Sequence, residues 1–300
     1  LNVSRETMQD SALVRKLNTV LTKRYLKSLR EEAKKRPEEY ETFWKQYANH
    51  LKEGVASDFD HRENVAKLLR FETSFNDKGK LSGLEEYVGR MPEDQKEIYY
   101  LCGPSREAIE SGPYLETFKA RSLEVFFLYE QPLDEYVMQQ LGEFDGKKLV
   151  SGDAEDIDLG DSKPPKKTGK RLNKKDTKAL CAWVKEALGE RVTEVEPSER
   201  LVDSPACVLN ADKMGSAGMR RMMKAMGQDE SLPPAAVKLQ LNPAHPMVRN
   251  LATLRESDAE LATLVVEQAL DNALAAAQLL DDPREMIARS YQLLERVSKS

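Results

Sequence analysis

Apolar residues recur at helical spacing over residues 5 to 35, where Leu13, Val14, Leu17, Leu21, Tyr25 and Leu29 form one stripe. Pro37 suits the first turn of a second helix, whose buried side is expected to hold Tyr40, Phe43, Trp44, Tyr47 and Leu51. A shorter helix is predicted near 62 to 71. The pattern then changes to short apolar runs, "EIYYLC" at 97 to 102, "EVFFLY" at 124 to 129 and "KKLVS" at 147 to 151. Helical segments near 104 to 120 and 132 to 144 separate them. Strand, helix, strand, helix, strand predicts right-handed crossovers and a small parallel sheet.

Residues 152 to 172 read as a charged linker, acidic in "GDAEDIDLGD" and basic in "KPPKKTGKR", and composition alone makes it a solvated hinge. Beyond it, 173 to 189 reads as a helix, and 191 to 196, 205 to 209 and 237 to 241 as strands. Between the last two lies "MRRMMKAMGQ", with Met219, Met222, Met223 and Met226 on one helical face. The close is helical, 258 to 280 and 283 to 297. Asp282, Pro283 and Glu285 have the spacing of a helix start. The fold class is therefore α/β and α+β: a helical segment with a small parallel α/β sheet over 1–151, then an α+β unit over 173–300 that ends in a helical bundle.

The segment 258 to 280 is apolar around well over one face, through Leu261, Leu264, Val265, Val266, Ala269, Leu270, Ala273, Leu274, Ala277 and Leu280. Such a helix must bury against more than the surface of a small domain. A two-fold dimer, with two helices from each chain in a four-helix bundle, satisfies it. The interface is expected to use Leu261, Val265, Leu270, Leu274 and Ala277, with Ile287, Tyr291 and Leu294 of the last helix. A fully internal helix in a larger core is the alternative.

Composition narrows the function. The 300 residues carry a net charge of -5, with 40% hydrophobic and 32% charged residues, so a general nucleic-acid binder is disfavoured. Cys102, Cys181 and Cys207 are far apart in sequence and fit a reducing compartment, Cys102 as a packing thiol at a strand end. The three histidines form no metal pattern; His50 and His61 are expected at the surface and His245 at a helix start. No apolar run reaches the roughly 18 residues of a membrane helix. The phosphate-binding glycine motif is absent after the first strand, where "CGPSRE" stands.

"LNVSRETMQD" places Arg5 in the first turn of the first helix, where the helix dipole disfavours a cation by about 0.3–1 kcal/mol. An arginine beside free backbone donors suits an anion such as a phosphate, and Gln9 shares its face at i+4. An ordinary surface arginine is the alternative. "LNVSRE", together with "AKLLRFETS", "IYYLCGPSREAIESGPYLE", "EFDGKKLV", "LNPAHPMVRNL" and "LDDPREMIARSYQLL", resembles segments of the heat shock protein 90 chaperone family, in family order over nearly the whole chain. Several of these segments resemble most the mitochondrial paralogue, the tumour-necrosis-factor-receptor-associated type.

The resemblance implies three domains, of which this chain would hold the later part of the middle domain and the C-terminal dimerisation domain. It implies that Arg5 reaches the terminal phosphate of ATP bound in the N-terminal domain, with Gln9 beside it, so that ATP and magnesium belong to the longer protein. It implies client binding by the methionine helix, through Met219, Met222 and Met223, and by a middle-domain patch of Glu135, Tyr136 and Gln139. From spacing alone, core packing of the methionines is the competing reading; adaptable methionines also suit varied partners. Expected partners are a second copy, unfolded clients and co-chaperones. The chain's ending, "LLERVSKS", lacks the tails of the cytosolic and reticulum relatives, so a mitochondrial matrix location is expected, with a bacterial-type cytoplasm as the alternative. Two other functions compete: a stand-alone α/β enzyme using Ser105, Arg106 and Glu107 after the first strand, and a purely structural dimeric adaptor.

Overall fold

The computed structural model describes residues 12–130, 133–159, 170–210 and 236–299, with positions 220, 223 and 227 besides. Two long helices open it, α1 (Ala12–Lys35) and α2 (Pro37–Ser57), broken at Arg36 just before the proline. The apolar stripe read for the first helix reaches the core only from Leu26 onward. Leu13, Val14, Leu17, Leu21 and Tyr25 are exposed, and Leu26 and Ala33 make the buried contacts. In α2, Tyr40 and Trp44 are buried, whereas Tyr47 is exposed.

A short α3 (Arg62–Ala66) leads into a six-stranded sheet. Its strands are β1 (Phe71–Thr73), β2 (Leu81–Ser82), β3 (Glu97–Cys102), β4 (Phe126–Leu128), β5 (Glu143–Phe144) and β6 (Lys147–Ser151), in the order β2-β1-β4-β3-β6-β5. The expected parallel sheet is its centre: β3 pairs parallel with β4 and β6. The flanks are antiparallel, so the whole is mixed. The flanking strands β1, β2 and β5 have two or three residues each, too few to show an alternation in the sequence. Asp145 and Gly146, both at positive φ, make the two-residue turn between β5 and β6.

Helices α4 (Leu84–Arg90), α5 (Arg106–Ser111), α6 (Leu115–Arg121) and α7 (Leu133–Leu141) complete this unit. The single helix expected over 104 to 120 is split at Gly112 and Pro113. Alternate β3 side chains enter two different cores: Ile98 and Tyr100 join Trp44, Tyr87 and Met138, while Tyr99 and Leu101 join Ile109, Phe118 and Phe127. Burial on both faces is why "EIYYLC" is a continuous apolar run. His61, expected at the surface, is buried, its Nδ1 2.9 Å from Asp58 Oδ2.

The second unit begins with α8 (Lys174–Leu188), capped by Asn173, whose side chain accepts from Asp176 N at 2.9 Å. A three-stranded sheet follows, β7 (Glu194–Pro197), β8 (Ala206–Asn210) and β9 (Val237–Leu241), in the order β7-β9-β8. Three helices close the chain: α9 (Pro246–Ser257), α10 (Ala259–Ala276) and α11 (Arg284–Ser298). His245 does start a helix, its Nδ1 accepting from Met247 N at 3.1 Å. The last helix starts one residue later than expected, with Asp282 Oδ1 still accepting from Arg284 N at 3.0 Å.

The stretch read as a solvated hinge is anchored in its first half. Tyr99 donates its hydroxyl to Asp158 O, Asp158 N donates to Glu97 Oε2 at 3.0 Å, and Ile157 and Leu159 pack on the Tyr99 core. Acidic composition hid two apolar residues that have a place to bury.

Candidate functional site

Tyr114 stands where three cores meet, packing against those of the larger sheet, the smaller sheet and the Leu201–Cys207–Leu209 cluster. Its hydroxyl donates to Val208 O at 2.7 Å. Two residues on, the Glu116 carboxylate accepts three successive backbone N–H groups, from Val202 at 2.7 Å, Asp203 at 3.0 Å and Ser204 at 2.9 Å. Arg200 returns the contact, giving Nη1 to Ala154 O at 2.6 Å and Nη2 to Glu155 O. These bonds fix the two units to each other. No sequence pattern announced them, because each joins residues far apart in the chain.

Of the expected client patch, α7 turns its residues three ways. Glu135 is 3% exposed, Tyr136 is half-buried and Gln139 is exposed. The inward turn of the acidic pair 134–135 has a visible cause in Asp134, which meets the buried amine of Lys52 on α2 at 2.6 Å. That amine also lies 5.6 Å from the centroids of the Trp44 and Phe71 rings. Burial pushes the Asp134 carboxyl above the usual range, and the Lys52 charge opposes the shift. Glu135 is thus part of the packed face of α7, leaving Tyr136 and Gln139 to face solvent.

The C-terminal helices separate the expected interface into two sets. Leu270 and Ala277 lie in the core of their own unit, beside Val266 and Ala273. Leu261, Val265 and Leu274 are half-buried. On α11 the arrangement reverses: Ile287, Tyr291, Leu294 and Val297 are 47%, 65%, 62% and 72% exposed and share one stripe. The one buried side chain of α11 is Arg289, which meets Glu267 at 2.9 Å and Asp271 on α10. A helix that seats itself by a charge cluster and turns its apolar stripe outward is built to be covered.

Arg5, Gln9, Met219 and Met222 lie outside the described residues. Met223 is helical and half-buried. The residues of the competing enzyme reading are spent on structure. Ser105 caps α5, Arg106 pairs with Glu72 at 2.6 Å and Glu110 at 2.7 Å, and Glu107 pairs with Lys78. Burial pushes the Cys181 and Cys207 thiols up, to about 11 and about 12, away from thiolate chemistry. Among the described residues no group of histidine, cysteine, aspartate and glutamate could hold a metal ion, and no helix is long and apolar enough to cross a membrane.

The sequence matches the family model described as Hsp90 protein over residues 1–299. It is 46% identical over 296 residues to the chaperone protein HtpG of Desulfitobacterium hafniense, covering 99% of this chain and 48% of that protein. It is 41% identical over 303 residues to the mitochondrial heat shock protein 75 kDa of Rattus norvegicus, covering 98% and 42%. To the mitochondrial TNF receptor-associated protein 1 homolog of Dictyostelium discoideum it is 37% identical over 300 residues, covering 98% and 41%. The chain spans about half the length of these relatives, and the whole-chain match to the family model makes it part of a member of the Hsp90 family.

Proposed function

We propose that this chain is the dimer-forming and client-holding portion of an ATP-dependent molecular chaperone. The observation that carries the reading is the uncovered stripe of α11, Ile287, Tyr291, Leu294 and Val297, above an α10 whose inner face is already packed. A second copy applied through a two-fold axis covers that stripe with its own and completes a four-helix bundle. The half-buried Leu261, Val265 and Leu274 lie on its rim; Leu270 and Ala277 support it from within.

Between the paired arms, Tyr136 and Gln139 offer one client contact and the methionine-rich segment, with Met219, Met222 and Met223, the other. Methionine is unbranched and polarisable, so a surface of several can adapt to unrelated unfolded segments. In the longer protein Arg5, with Gln9 beside it, stabilises charge on the phosphoryl group transferred from magnesium-bound ATP. The family match and the chaperone names of the relatives support this reading. The names of the rat and Dictyostelium relatives support a mitochondrial location and the HtpG name a bacterial one; fractionation of the source cells separates them.

The test is sedimentation together with suppression of aggregation. The chain should sediment as two copies at micromolar concentration and keep a thermally unfolding client soluble. A photoreactive group at 136 or 223 should capture that client, and one at the exposed Lys45 of α2 should not. A monomer at that concentration refutes the dimer. A dimer that leaves aggregation unchanged returns the chain to a purely structural adaptor.

A further inference from the structure

We draw no further inference here: the strongest candidate, the exposed apolar stripe of Leu13, Leu17, Leu21 and Tyr25 on α1, is an unpartnered helix face, and nothing in the structure shows what covers it.

Discussion

Arg289 on α11 sets its guanidinium against the buried carboxylate of Asp271 on α10, and Arg191 approaches the same carboxylate from the other side. Asp271 is 2% exposed, so its charge is tolerated only with these partners. Removing one partner from a buried pair typically costs about 3–5 kcal/mol. Asp271→Ala should therefore lower the unfolding free energy of the C-terminal unit, measured by urea titration, by an amount in that range. Glu267→Ala, which removes a half-buried partner of Arg289, should cost about 1 kcal/mol or less. Equal effects of the two variants would place the weight of α11 docking elsewhere.

The apolar stripe of α11 gives a second outcome, and it separates association from folding. Tyr291→Glu and Leu294→Glu place charges on side chains that touch little of their own chain. The variants should retain the wild-type helical signal, yet sediment as one copy at concentrations where the parent is two. Leu270→Ala is the contrasting change. It opens a cavity in a fully buried position and should cost about 2–5 kcal/mol of folding stability.

His245 links the second unit to pH. Its Nδ1 must hold a lone pair to accept from Met247 N, and burial lowers its pKa below the ordinary histidine value, with Arg249 acting in the same direction. Glu116 and Asp203 oppose the shift in part. A histidine with a lowered folded-state pKa contributes stability that is complete above about 6.5 and is lost as pH falls from there through the folded value. Thermal unfolding of the C-terminal unit should thus shift downward as pH falls below about 6.5. His245→Asn keeps a capping acceptor and should flatten that dependence.

The sequence exposed those parts of the fold whose physics is local. The run "EIYYLC" became β3 with its boundaries as read, because burial on both faces leaves no polar position to blur it. Pro37 and His245 marked helix starts because capping is decided within a few residues. What escaped was decided at long range. The apolar circumference of α10 showed that burial was needed on several sides, but not that Leu270 and Ala277 spend theirs inside the unit. Glu135 was expected at a client surface, and its burial beside Asp134 was not legible because Lys52, the partner that lets Asp134 sink, stands on another helix. Nothing local marks Arg289 as the residue that seats α11, because its partners Glu267 and Asp271 stand on another helix.

The Lys52–Asp134 pair can be dissected by charge. Lys52→Met leaves a buried carboxylate without its cation and should destabilise the first unit by about 3–5 kcal/mol. Adding Asp134→Leu removes the orphaned charge and should recover most of the loss, since well-packed apolar residues often replace a buried pair at little cost. Urea titrations of the two single variants and the double variant give the coupling directly. A double variant no better than the sum of the singles would show that the two side chains act independently.

Glu116 offers the sharpest test of how the two units are joined. Its carboxylate accepts backbone N–H groups from residues as far as 88 positions away in the chain, so its removal acts on the seam and not on the helix that carries it. Hydrogen bonds to a charged acceptor are worth about 1.5–3 kcal/mol. Glu116→Gln keeps the shape but loses the charge, and only its carbonyl oxygen can accept. The amides of Val202, Asp203 and Ser204 should then exchange with solvent faster by about ten- to a hundredfold, whereas the β3 amides should be unchanged. Small-angle scattering should show a broader distribution of separations between the units. If the three amides kept their protection, Tyr114 and Arg200 would by themselves hold the seam, and the double change Glu116→Gln/Tyr114→Phe would be needed to open it.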